Sequence, residues 1–226
     1  MKQHHLINPL TLKTIPMFSE LVTESINSLM QILKHQHVKR DEVIVHEGEQ
    51  SEYFYIILTG KAKVIITNSV NREFIISFLK TGEFFGEMGM LDNERRSATV
   101  VAMTACELLL VGKTDFEKFL AGNYEIVRYM LKSFSHRMRT VIRKIESLAM
   151  MDVYGRVARV LLEGSELIGG ELVFRYRLSK QEFSEMVGSS REMVSRVIKH
   201  LEEDGFIENR GDKLIIINDA ITQKAA

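Results

Sequence analysis

Thiols are almost absent: Cys106 stands alone in 226 residues. One chain can therefore form neither an intramolecular disulfide nor a cysteine-ligated iron–sulfur cluster, which need several thiols. Cys106 is expected to be a small buried residue in a strand. Long hydrophobic runs are missing too. No stretch approaches the roughly 18–20 apolar residues that span a bilayer, and the opening MKQHHLINPL lacks the apolar run of a signal peptide, so a cytoplasmic protein without a membrane partner is expected. The histidines, His35 and His37 included, keep no spacing typical of zinc ligands with cysteine, and no metal is expected. Net charge is also lacking: 30 basic residues are matched by 30 acidic ones. General affinity for DNA comes from Lys and Arg neutralising phosphates, so any DNA-binding surface must be local. Two stretches qualify, one with Arg137, Arg139, Arg143 and Lys144, the other with Arg175, Arg177, Lys180, Arg191, Arg196 and Lys199.

What is present falls into three textures, without internal repeats or low-complexity segments. From Ser19 to Lys34, Leu21, Val22, Ile26, Leu29, Ile32 and Leu33 recur at helical intervals and predict one or two short helices. From Val38 to Gly112 come short β-rich runs (VIVHE, YFYIIL, AKVIIT, EFIISFL, ATVVAM, CELLLVG) separated by turn residues, which indicate a small antiparallel roll or barrel. The period then turns helical. Val127, Leu131, Phe134, Met138, Val141, Ile145 and Leu148 alternate steps of four and three, an a/d seam suited to pairing with a second copy. A second line, Ile126, Met130, Ile142 and Ala149, offers another face for the roll. Beyond Asp152 the pattern reads as a helix through VYGRVARVLLEGSELI, a break at Gly169-Gly170, a basic strand ELVFRYRL, two helices, and two short strands about Arg210-Gly211-Asp212.

Within LSKQEFSEMVGSSREMVSRVIKHLEEDGFI, Ser179 can cap a helix whose core face is Phe183, Met186 and Val187. Gly188 permits a tight turn, and Ser189 or Ser190 can cap the next helix. There Met193 or Val194, with Val197, Ile198 and Leu201, can face inward, leaving Arg191, Glu192, Ser195, Arg196 and Lys199 outside. Arg matches the O6 and N7 acceptors of guanine, and Glu matches the amino group of cytosine. A helix-turn-helix with a trailing hairpin describes a winged DNA-binding domain.

At this point the chain resembles the CRP/FNR family of bacterial transcription regulators. The resemblance rests on MDVYGRVARVLL, VGSSREMVSRVIKHLEEDGFI and RGDKLIII. It implies an α+β fold: an N-terminal β-roll of the cyclic-nucleotide-binding kind with its helices (1–122), a dimerisation helix (123–151) and a winged helix-turn-helix (152–226). It puts Arg191, Glu192 and Arg196 on base-reading positions; Glu192, Ser195 and Arg196 also fit the FNR pattern, and Arg191 favours the CRP-like choice of a TGTGA-type palindrome. Ser179, Lys180, Gln181, Ser190, Ser195 and Lys199 complete the expected DNA-binding set. GEFFGEMGMLDNERRSATV resembles the phosphate-binding cassette of cyclic-nucleotide domains, with Gly86, Glu87, Arg96, Ser97 and Ala98 in its places. Arg96 and backbone amides would bind a cyclic phosphate, Ser97 would donate to it, and Glu87 would accept from a ribose hydroxyl. The alternative is an Arg96–Glu87 ion pair bracing an empty pocket. On this reading Arg96→Ala should remove effector binding and leave the fold intact.

The resemblance also places Arg137, Val141 and Ile142 near the base of an effector. Where the CRP branch has a Thr-Ser pair, Val141 and Ile142 carry no hydrogen-bonding group. Cyclic AMP is the leading effector, with cyclic di-GMP or effector-independent DNA binding as alternatives; oxygen sensing of the FNR type is disfavoured by the single cysteine. RNA polymerase and a second copy of the chain are the implied protein partners. Two other classes compete. A cyclic-nucleotide regulatory subunit would have no use for the winged helix-turn-helix, and a nucleotide hydrolase or cyclase would need a metal site or acid–base set that the sequence does not offer, so a non-enzyme is expected.

Overall fold

A computed structural model describes residues 8–174, 176, 178–210 and 213–217. Its first element is a short helix, α1 (Pro9–Lys13), started by Asn8, whose side-chain oxygen accepts from the Leu10 and Thr11 amides at 2.6 and 3.1 Å. Helix α2 (Thr23–Ile32) buries Ile26 and Leu29 of the expected apolar line. Lys34 begins a strand, β1 (Lys34–Val38), that the apolar pattern does not reveal, because four of its five side chains are exposed. Strands β2 (Val43–Val45), β3 (Tyr53–Thr59), β4 (Lys61–Thr67), β5 (Glu73–Lys80) and β6 (Phe84–Phe85) follow, then a single turn of helix, α3 (Met88–Leu91). Next come β7 (Thr99–Ala102), β8 (Cys106–Gly112), α4 (Lys113–Gly122) and the 27-residue α5 (Tyr124–Met150).

Two antiparallel four-stranded sheets, ordered β1-β8-β3-β6 and β2-β7-β4-β5, make the expected roll. Its central strand β3 shows how the pattern works. Tyr55 and Ile57 join Val38, Ala62, Val100, Cys106 and Leu108 in one core, whereas Phe54 and Ile56 face a second core built with Leu12, Ile26, Phe116, Ile126 and Met130. Both faces are covered, so β3 reads as a continuous apolar run rather than an alternation. Burying each such Ile or Phe contributes on the order of 1.5–3 kcal/mol. Cys106 is fully buried in β8, as expected. His35 and His37 reach across β1 to Glu107 of β8, with N–O distances of 2.5 and 3.0 Å.

The chain divides into two compact units, and the boundary falls between Arg137 and Met138, inside α5. In the second unit α6 (Val153–Glu163) begins at Asp152, whose carboxylate accepts from the Gly155 amide at 2.8 Å. The helical reading of this segment overran. Residues SELI form a strand, β9 (Ser165–Ile168), paired antiparallel with β10 (Glu171–Phe174). The reason lies in three glycines. A Cβ at Gly164 would stand 2.2 Å from the Phe174 ring, and Gly169 and Gly170 both have positive φ, which makes the two-residue turn of a tight hairpin.

Helices α7 (Lys180–Val187) and α8 (Arg191–Glu203) and strands β11 (Ile207–Arg210) and β12 (Lys213–Ile216) complete the winged helix-turn-helix, with sheet order β11-β12-β10-β9. Its core gathers Val157, Leu161, Phe174, Phe183, Val194 and Leu201. Arg175 and Arg177 of the basic run, and Gly211 and Asp212 of the wing turn, lie outside the described residues. Among the described residues no helix is long and apolar enough to cross a membrane.

Candidate effector and nucleic-acid sites

The cassette turns on Gly86. Its φ of 81° suits glycine, and an added Cβ would stand 2.5 Å from Arg96 Nη1 and 3.0 Å from the Tyr53 carbonyl oxygen. That crowding has a cause. The Arg96 guanidinium donates to the Gly86 carbonyl at 2.5 Å and to the Tyr53 carbonyl at 2.6 Å, tying the cassette turn to β3. Arg96 is only 6% exposed, and burial lowers its pKa against the opposing pull of Tyr55 and Glu87. Two of its five N–H groups serve backbone carbonyls.

Glu87 is 2% exposed and its carboxylate accepts from Arg137 Nη1 at 2.8 Å. The Arg96–Glu87 pair considered from sequence is therefore replaced by Arg137–Glu87. Burial pushes the Glu87 carboxyl up, and Arg137 opposes this. Arg137 also donates to the Phe84 carbonyl and lies over the Phe84 ring, 4.4 Å from its centroid. Ser97 is exposed, with its hydroxyl 3.9 Å from the Met88 sulfur, and Ala98 is half-buried. The first unit thus assembles Gly86, Glu87, Arg96, Ser97, Ala98 and Arg137. Val141 and Ile142 belong to the second unit, where both are exposed. Sequence reasoning missed the parts played by Tyr53 and Phe84. Tyr53 acts through its backbone carbonyl, which leaves no residue-type signal, and Phe84 through its carbonyl and its ring, whose contact with Arg137 is made across 53 positions.

The helix-turn-helix follows its expected local chemistry. Ser179 and Glu182 form a reciprocal capping box at α7, with Ser179 Oγ accepting from the Glu182 amide at 3.1 Å. Gly188 is left-handed at φ 70°, ψ 40°, and Ser190 caps α8 by accepting from the Met193 amide at 3.2 Å. Of the paired alternatives, Ser190 is the cap and Val194 the buried residue, while Met193 is exposed. Val197 and Leu201 are buried beside Val194. Arg191, Glu192, Arg196 and Lys199 are exposed, Ser195 is half-buried, and Lys180 and Gln181 are exposed at the start of α7. A hydrogen bond from its own amide, then one from Ser190, hold the Glu192 carboxyl below its usual range, with Arg191 and Arg196 adding to the effect. It remains an acceptor. Lys199 lies 3.4 Å from Glu203, one turn on.

Along α5 the seam residues differ. Leu131, Met138, Val141, Ile145 and Leu148 are exposed, whereas Phe134 packs against the first core, its ring centroid 6.3 Å from that of Phe84, and Val127 is half-buried. In the second line, Ile126 and Met130 are buried but Ile142 and Ala149 are exposed. Near the end of the helix Lys144 is half-buried, and burial pushes its pKa down to about 8 despite the attraction of Glu163 on α6. Arg159 of α6 reaches the Arg143 carbonyl and Glu146, each at 3.4 Å.

A ligand-binding roll joined through a long helix to a winged helix-turn-helix defines a class of regulators in which one domain senses and the other contacts DNA. Residues 35–123 match the model of the cyclic nucleotide-binding domain, and residues 155–220 match the Crp-like helix-turn-helix domain. The chain is 32% identical over 204 residues to the cAMP-activated global transcriptional regulator Vfr of Pseudomonas aeruginosa, covering 86% of this chain and 95% of Vfr. It is 30% identical to the cAMP-activated global transcriptional regulator CRP of Salmonella typhimurium, covering 84% of this chain and 93% of CRP. Among solved structures, the c-di-GMP responsive global regulator CLP of Xanthomonas campestris superposes with a TM-score of 0.76 at 24% identity, covering 87% of this chain and all of CLP. The chain belongs to the CRP/FNR family of transcription regulators.

Proposed function

We propose that this regulator is a homodimer that binds a palindrome of TGTGA-like half-sites and is gated by a cyclic nucleotide, cyclic AMP first. The observation that carries the reading is the Gly86, Arg96, Ser97 constellation beside Glu87: a glycine-permitted turn, a buried guanidinium against it and an exposed hydroxyl, which together suit the phosphate of a cyclic ester, with the Glu87 carboxylate an acceptor for its ribose. Relatives named as cAMP-activated support the choice of nucleotide. Residues 1–122 would sense the effector, 123–151 pair the protomers and 152–226 read DNA. The exposed apolar row Leu131, Met138, Val141, Ile145 and Leu148 supports pairing through α5, because an unpaired row of this kind on one helix face calls for a cover.

On DNA, Arg191 and Arg196 read guanines, Glu192 reads the cytosine opposite one of them, and Lys199 contacts a phosphate. Ser179, Lys180, Gln181, Ser190 and Ser195 position α8. The regulator works in the cytoplasm with RNA polymerase as its protein partner and performs no catalysis. Cyclic di-GMP is the second effector considered, because the Val141 and Ile142 side chains offer an adenine no hydrogen bond and so weaken the preference for cyclic AMP. An effector gates the protein only through tighter binding to the DNA-competent arrangement. Calorimetric titration of the full chain with cyclic AMP, cyclic GMP and cyclic di-GMP tests the reading. Binding of cyclic AMP supports it; binding of none of the three contradicts the effector part.

A further inference from the structure

We propose that Met88 is an oxidation site of the effector pocket, at which a hydroperoxide converts the thioether to a sulfoxide that takes the Ser97 hydroxyl away from the effector phosphate. The proposal rests on the reading of Ser97 as a phosphate donor.

The placement of this methionine differs from that of its neighbours. Met90, two residues on in the same turn of helix, is 2% exposed, and Met17 and Met130 are 3% exposed, whereas Met88 is 54% exposed. Its sulfur accepts from the Ser97 hydroxyl at 3.9 Å. A thioether is a weak acceptor, and a phosphate oxygen would take that hydrogen from it readily. A sulfoxide oxygen is a strong one. Oxidation at this atom therefore changes the competition for one hydroxyl without disturbing a packed core.

The step balances with the peroxide alone. A sulfur lone pair attacks the outer peroxide oxygen, the S–O bond forms as the O–O bond breaks, and the hydroxide or alkoxide released takes the proton from the transferred oxygen. Sulfur loses two electrons and the peroxide gains them. The products are the sulfoxide and water or an alcohol.

The test uses full-length protein treated with hydrogen peroxide, with methionine oxidation read by mass spectrometry of peptides and affinity read by titration with cyclic AMP and cyclic di-GMP. Met88 should oxidise alongside Met150, which is 82% exposed, while Met17, Met90 and Met130 stay reduced. Affinity for the nucleotide that binds the untreated protein should fall about tenfold, the worth of one charge-assisted hydrogen bond. Treated Met88→Leu should stay within about twofold of its own untreated value, and Ser97→Ala, which has no hydroxyl to lose, should show no further fall on oxidation. Met88 remaining reduced while Met150 oxidises overturns the proposal, as does full oxidation of Met88 with unchanged affinity. Untreated protein that binds neither nucleotide overturns the effector reading and this proposal with it, and is told apart by that control.

Discussion

Replacing Arg96 by alanine separates a residue that only meets a ligand from one that also holds the pocket together. The sequence reading expects loss of effector binding with an intact fold. The geometry demands more. Arg96 supplies the donors for the Gly86 and Tyr53 carbonyls at 2.5 and 2.6 Å from a side chain that is almost fully buried. A fully buried acceptor left without its donor costs about 1–3 kcal/mol, so roughly 2–6 kcal/mol is the upper bound for these two part-buried carbonyls, less whatever entering water recovers. A net loss of about 3 kcal/mol lowers the melting point of a unit of this size by roughly 10 °C. The first unit can be followed through near-ultraviolet circular dichroism of Tyr53 and Tyr55, whose rings lie 6.4 Å apart between centroids. Titration with cyclic AMP well below the new midpoint then reads the ligand role separately. An unchanged midpoint would refute the bracing role, and unchanged affinity for every cyclic nucleotide would refute the phosphate role.

Four further outcomes are expected. Met138→Glu with Ile145→Glu places like charges on an exposed seam and should give a folded monomer by sedimentation; a wild-type monomer at micromolar concentration would contradict pairing through α5. Phe134→Glu is the wrong probe for pairing, since Phe134 packs on the roll and its loss should unfold the first unit instead. Arg191→Ala should cost about 1–3 kcal/mol per half-site and relax preference at one base pair, while Lys199→Ala should weaken all sequences alike and reduce the salt slope by about one per subunit, both read by fluorescence anisotropy. Lys144, held near pH 8 rather than 10.5, binds its proton more tightly in the unfolded chain, so stability should rise with pH between those values and be lowest below 8. Lys144→Met should remove that slope and stabilise the neutral protein by at most roughly 3 kcal/mol, measured by urea unfolding across the window.

The legible parts of the fold are those with strong local chemistry. Ser179, Gly188 and Ser190 define α7, its turn and the start of α8 because caps and left-handed glycines carry their meaning in the residue type. Strand β1 hides because KHQHV is a polar edge, identified only by its pairing with β8. The overrun of α6 into β9 has a related cause: SELI suits either state, and the choice depends on Phe174 packing against Gly164, a contact with a residue ten positions away. Among site residues, Glu87 and Arg96 are recognisable by motif, yet their actual partners, Arg137 and two backbone carbonyls, are tertiary facts. Zero net charge does not reveal local placement: Arg191, Arg196 and Lys199 are exposed on α8 together with Glu192 and Glu203.

Selection of binding sites from a random DNA pool by the full-length protein, run with no effector, with cyclic AMP and with cyclic di-GMP, bears most directly on the claim of an effector-gated palindrome reader. The expected result is a TGTGA-like palindrome with half-site centres about 34 Å apart, enriched more strongly in one effector arm than without effector. Recovery of no palindrome in any arm would contradict the account.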